Sequence, residues 1–198
     1  MPEHAEPSRP VVDPRWRLLL VVLTLACSWL GMQWVHEAGH VLAALATGGV
    51  VERVVLHPLS ISRTDVSVNP RPLIVTWAGP VFGVLAPLAA WLLARALRAR
   101  SAYVVRFFAG FCGVANGAYL ALGSFQRVGD CGELLKHGAA MWHLWLFGTV
   151  SAAAGFMLWN RLGPSFGFSP GAQAVSRGLC LVLAALLITM AAAGAWSG

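Results

Sequence analysis

Charge is what this chain has least of. Asp, Glu, Lys and Arg make up 11% of its 198 residues, against about 25% in an ordinary soluble domain. Hydrophobic residues reach 58% and the mean hydropathy is +0.68. A chain with so little polar surface to offer water reads as an integral membrane protein. Other absences narrow the field. The net charge is +6, but there is no basic stripe interleaved with aromatics, which excludes a nucleic-acid binder. The four cysteines, Cys27, Cys112, Cys131 and Cys180, form no C-x-x-C pair. Three of them lie in apolar runs and read as small buried hydrophobes rather than disulfide partners. No internal repeat or low-complexity tract is present. The opening "MPEHAEPSRPVVDP" is polar and Pro-rich, and residues 1–15 read as a disordered tail rather than a signal peptide.

What is there is apolar and segmented. Five runs, near 18–47, 73–97, 103–122, 140–159 and 179–196, are each long enough to span a bilayer, which takes roughly 20 residues. The first is too long for one perpendicular crossing. At about 1.5 Å per residue its helix is about 45 Å long, against a hydrocarbon core of about 30 Å. It must tilt, protrude or bend, with Gly31 the candidate for a bend. Between the first two runs, "VERVVLHPLSISRTDVSV" (51–68) is rich in Val, Ser and Thr, and Pro58 interrupts it. It predicts a strand, a turn and a second strand. The fold class is therefore an all-α polytopic membrane protein with about five transmembrane helices and a small β-like insertion after the first. Residues 16–198 form one membrane-embedded domain.

The cations lie between the runs. Arg9, Arg15, Arg17, Arg95, Arg98, Arg100, Arg106, Arg161 and Arg177 share one side, nine in all. Arg53, Arg63, Arg71, Arg127 and Lys136 make five on the other. The positive-inside rule then favours a cytoplasmic N-terminus. Trp16, Trp91, Trp159 and Trp196 lie near segment ends, where an interfacial belt would place them.

Against this background "HEAGH" stands out within the first run. His36 and His40 are four apart, so on a helix they share a face and can present two imidazole nitrogens to one metal ion. Glu37 beside them can take a proton from a metal-activated water. Zinc is the default ion, because two neutral imidazoles, a third protein ligand and a water suit its tetrahedral catalytic site. The plainer reading makes all three core polar groups bonded to backbone. Three ionisable groups in this order inside a membrane segment favour the metal.

The third ligand must come from elsewhere. Asp65, Asp130, Cys131, Glu133, His137 and His143 are the candidates, and "GDCGELLKHG" (129–138) is the richest cluster. Asp130 is the choice, since a carboxylate at the end of a span can swing in. The competing reading makes Asp130 and Glu133 a helix-capping pair. Glu133 is held in reserve as a second-shell partner, and Cys131 as a free thiol. In "TWAGPVFGVLAPL", Gly79 and Gly83 are four apart and allow close helix approach. Pro80 and Pro87 free backbone carbonyls. This helix is expected to lie against the His36/His40 helix and shape the substrate path. Asn116, inside the third run, is either interhelical glue or a contact to substrate or its oxyanion.

"HEAGHVLAALATGG", a β-like stretch, "WAGP" opening the next span and a downstream "GD" after a third together resemble the site-2 protease family of intramembrane zinc metalloproteases. The likeness is to its small bacterial members and covers roughly residues 34–136. It implies a metalloprotease core at about 16–138 in a bacterial cell membrane. It also implies that His36, His40 and Asp130 bind Zn2+, that Glu37 activates water, and that the work is regulated intramembrane proteolysis. Two positions depart from the family's pattern. Gly83 stands where an asparagine is frequent, and "SFQRVGDCGE" has no proline before its aspartate. The expected activity is hydrolysis of peptide bonds in membrane proteins or membrane peptides. The substrate helix must first unwind, and the 51–68 region could hold it by strand addition. The alternative is a non-catalytic membrane protein with a structural or regulatory metal site, or a metal carrier. Such a protein would keep His36 and His40 without needing Glu37.

Overall fold

The computed structural model describes residues 13–59, 61–169 and 175–197. Of the expected tail, residues 1–12 (and Arg9 with them) lie outside the described residues. Six α-helices and a two-stranded sheet follow, and five of the helices are long and apolar enough to cross a membrane. The all-α membrane architecture with a small β insertion is thus the observed one.

Helix α1 (Pro14–Ala46) starts where the sequence supplies a cap and a fixed φ. The Asp13 carboxylate accepts from the Arg15 N–H at 2.9 Å, and Pro14 occupies the first turn, where no N–H is needed. It ends where Thr47 donates its hydroxyl to Ala43 O at 2.8 Å and Gly48 turns left-handed at φ 78°. Its 33 residues give about 50 Å of helix. Gly31 does not interrupt it. That glycine makes room for the Phe108 ring of α3, which an added Cβ would meet at 3.2 Å.

Strands β1 (Val50–Val55) and β2 (Arg63–Val68) pair antiparallel, with Val54 opposite Thr64. The hairpin is tied to the end of α1 by Gly49 N–H donating to Ala44 O at 2.7 Å. Helices α2 (Pro72–Ala96), α3 (Ala102–Gln126), α4 (Gly129–Lys136), α5 (Met141–Trp159) and α6 (Arg177–Ser197) complete the chain. Short connections reverse the direction at each crossing, so the molecule has two distinct ends.

Near the start of α1 the buried core is apolar. Leu20, Leu23 and Cys27 pack there with Val104 of α3, Leu162, Phe166, and Cys180 and Leu183 of α6. The opposite end gathers the C-termini of α1 and α3, the N-terminus of α2, the hairpin and α4. Two seams hold the bundle at close range. Along α3 and α5, Gly110, Gly113 and Gly117 face Gly148, Ser151 and Gly155, and an added Cβ at Gly155 would fall 2.6 Å from Gly110 O. Along α1 and α2, Gly39 meets the Ala78 carbonyl, and Gly79 and Gly83 are spent as described below. Small residues let backbones approach where no water can fill a gap. Pro80 and Pro87 sit inside α2 without ending it. All four cysteines are buried and free.

Candidate metal centre

His36 and His40 lie on one face of α1, 8% and 7% exposed, about two-thirds of the way along the helix. Asp130 comes from the first turn of α4, ninety-four residues after His36. The three meet. His36 Nε2 lies 2.9 Å from Asp130 Oδ2, His40 Nε2 lies 3.3 Å from the same oxygen, and the two Nε2 atoms are 3.1 Å apart. Among the described residues this is the one group of three His, Cys, Asp or Glu side chains whose ligand atoms converge closely enough to hold a metal ion.

The other side of each ring decides what those atoms are. His40 Nδ1 stands 2.8 Å from Val75 O, a carbonyl that can only accept, so Nδ1 carries the proton. His36 Nδ1 stands 2.7 Å from Asn116 Oδ1. The Asn116 amide is oriented by its nitrogen, which donates to Cys112 O at 2.9 Å, so its oxygen faces the ring and Nδ1 again donates. With Nδ1 carrying a proton, each ring turns its Nε2 toward the other ring and toward a carboxylate. Three acceptors meet this closely only around a cation, whether a proton or a metal ion. The spacing suits zinc. Ligand atoms about 2.0–2.1 Å from a tetrahedral zinc stand about 3.3 Å from one another.

The packing explains the arrangement. Gly79 lies on α2 one turn beyond Val75, and a Cβ there would overlap the His40 ring. Its absence lets the imidazole lie on α2 and reach the Val75 carbonyl. Gly83, one turn further, leaves the space that Asn116 fills, since an added Cβ would stand 2.9 Å from both amide heteroatoms. Helix α2 thus lies directly against the histidines of α1, as expected.

Asp130 does not cap. The N-cap of α4 is Val128, with no side-chain cap bond, and the Asp130 carboxylate faces the rings instead. Burial alone would raise that carboxyl. When the facing imidazoles are protonated, their hydrogen bonds and charge outweigh burial and hold the group below the usual carboxylate range. Its backbone N–H donates to the Tyr119 hydroxyl at 3.0 Å, and the Tyr119 ring packs edge-on against His36 with centroids 6.0 Å apart. Glu37, 3% exposed, accepts from the Thr64 hydroxyl of β2 at 2.7 Å. The hairpin thus reaches the group beside the two histidines.

Other candidates lie elsewhere. Glu133 pairs with Lys136 at 3.2 Å and faces His137 at 3.3 Å on the exposed side of α4, so it is not a partner of the trio. Asp65 pairs with Arg63 at 3.2 Å on the hairpin surface. His143 Nδ1 accepts from Ala140 N–H at the start of α5. Cys131 turns away from the rings, with Sγ 3.4 Å from Tyr119 O, and burial pushes its thiol up to about 11. Asn116 is 1% exposed and both ends of its amide are engaged within the protein, its oxygen with His36 of α1, which is the interhelical bond that was one of its two expected roles. Val75, Thr64 and Tyr119 were not among the expected residues. Only Tyr119 had a readable signal, three positions after Asn116 on the same face of α3.

Comparison with known proteins adds one finding. A family model described as Peptidase M50B-like matches residues 16–118. No curated protein and no solved structure matches the chain. The matched stretch holds His36, Glu37, His40, Gly79 and Asn116 but ends before Asp130, which joins the group through geometry alone. More than half of the sequence lies within the match, and the chain belongs to the peptidase M50B-like family of site-2 proteases.

Proposed function

We propose that this protein is an intramembrane zinc metalloprotease, with His36, His40 and Asp130 as ligands and Glu37 as general base. The observation that carries the reading is the meeting of three lone-pair-bearing atoms, His36 Nε2, His40 Nε2 and Asp130 Oδ2, within 3.3 Å of one another. The charge supports it as well. Asp130 and Glu37 bring two negative charges into a buried, membrane-spanning bundle, and a dication balances both.

Zinc bound there would supply Lewis acidity, lowering the pKa of a water toward about 7 and polarising a peptide carbonyl. The chain's own groups do the rest. Asn116 and Val75 O fix the two rings through Nδ1. Glu37 takes a proton from the attacking water and delivers it to the nitrogen of the breaking C–N bond. Thr64 holds that carboxylate in one rotamer until the water arrives. A substrate segment paired to the hairpin would pass within reach of Glu37. Low dielectric and the exclusion of bulk water strengthen each of these interactions.

The test compares wild type with Glu37→Gln, both purified in detergent and reconstituted, for zinc content and for cleavage of a fluorogenic transmembrane peptide. Equal zinc with cleavage by wild type alone is the expected result. Equal zinc with no cleavage by either across a panel of membrane peptides would hand the site to a structural or carrier role.

A further inference from the structure

No Asp or Glu stands between Asp65 and Asp130, yet Arg95, Arg98, Arg100 and Arg106 gather around the turn from α2 to α3. Among the described residues no carboxylate pairs with any of the four. Two of them meet at one ring. The Arg95 guanidinium lies 5.8 Å from the centroid of Trp91, and the Arg106 guanidinium lies 6.0 Å from a centroid of the same side chain. Arg106 also donates through Nη2 to Asn160 O at 2.9 Å, at the end of α5, and its Nε is buried without a hydrogen-bond partner. Arg95 is exposed and makes no hydrogen bond or ion pair among the described residues. Elsewhere at this end the cations go one to a ring. Arg177 stands 5.2 Å from Trp16, and Arg17 stands 5.2 Å from Phe168.

A ring face attracts each cation but neutralises neither. Two guanidiniums on one ring also repel one another, the more so beside hydrocarbon, where the dielectric is low. Their complement is an anion with several acceptor oxygens, and a phosphodiester suits the planar fork of arginine. Such groups are plentiful where these residues stand. The end of an apolar span, marked by a tryptophan, is the level of lipid headgroups. Net charge then selects among the lipids. A lone arginine is served by any phospholipid phosphate. Two arginines without a carboxylate also repel the ammonium of a zwitterionic headgroup, and so favour a headgroup with no cation of its own. We propose that Arg95 and Arg106, gathered on Trp91, bind the phosphate of an anionic phospholipid. The lipid is held from α2 and α3 together, at the end of the bundle away from Asp130, so the inference does not rest on the proteolytic reading.

The full chain, purified in a nonionic detergent, is titrated with phosphatidylglycerol and phosphatidylcholine of the same acyl chains, and the lipid it retains is counted by native mass spectrometry. Wild type should retain phosphatidylglycerol in preference to phosphatidylcholine. Arg95→Gln should weaken phosphatidylglycerol about fivefold and Arg95→Gln/Arg106→Gln about thirtyfold, the sizes expected for one and two arginines at a lipid surface. Phosphatidylcholine should be held equally by all three proteins. Arg177→Gln removes one cation from the same end without touching Trp91, and it should leave the preference as in wild type. Arg106 ties α3 to the end of α5, so the double variant could misfold; Arg95→Gln alone then carries the test. An equal loss in Arg177→Gln would assign the preference to the summed charge of that end and overturn the inference. So would a wild type without preference, or a folded Arg95→Gln that keeps it in full. Release of the retained phosphatidylglycerol by excess inorganic phosphate would make this a site for free anions and overturn it as well.

Discussion

The two halves of α1 do opposite things with burial. From Leu20 to Leu30 the buried face carries three leucines, Cys27 and the small hydroxyls of Thr24 and Ser28, and Leu20, Leu23 and Cys27 pack into an apolar cluster with α3, α6 and the turn around Leu162 and Phe166. From Gln33 to His40 the buried face carries a carboxamide, two imidazoles and a carboxylate. One helix thus holds an ordinary membrane core and, two turns later, the most polar buried cluster in the structure. The first half is held chiefly by apolar packing. The second depends on named partners from α2, α3, α4 and β2, each of which removes a side chain or supplies a polar atom.

That contrast can be broken most severely at His36. His36→Ala should leave the purified protein without stoichiometric zinc by elemental analysis and remove all measurable peptide cleavage. Glu37→Gln is the next largest: a fall of about 10²–10⁴-fold in kcat with zinc content unchanged, the range for losing a general base. Asn116→Ala should weaken zinc affinity about 10–100-fold in a competition titration, the usual cost of losing a second-shell partner. Those three act on the polar half. Leu23→Ala sharpens the comparison from the other side. It should lower stability by about 2–5 kcal/mol in denaturant titration while leaving zinc affinity as in wild type. The smallest effect is expected at Cys131. Burial with a thiol near 11 leaves almost no thiolate at pH 7.5, so mass spectrometry after iodoacetamide should find it unmodified in the native protein and alkylated after unfolding.

The same contrast marks what could be read from sequence. The apolar half, and all five spans, are legible because composition alone fixes them: runs of Leu, Val and Ala have nowhere else to go. The His36/His40 pair is legible because helical spacing is local. The hairpin is legible because its β-branched run is interrupted by Pro58. Asp130 could be selected because few carboxylates exist in the chain. Its rival role as a cap could be rejected only with α4 in view, where Val128 occupies that position. What stayed hidden was the set of partners that orient these groups across helices. Nothing local to Val75 says that its carbonyl receives His40. Asn116 read equally as interhelical glue and as a contact to substrate, because its sequence does not show that Gly83 leaves it room and that His36 is its partner. Thr64 read as one more strand residue, although its hydroxyl is the partner of Glu37.

The separation of ninety-four positions from His36 to Asp130 also sets an order of events. During synthesis the two histidines emerge first, and α2 and α3 must both be inserted before the aspartate exists. The cluster cannot close on a partly made chain. A nascent chain that has not yet reached Asp130 therefore lacks a finished trio. Closure joins the first helix to the fourth, so any ion that binds the trio acts as a clasp over half the polypeptide and makes maturation and metal loading a single step.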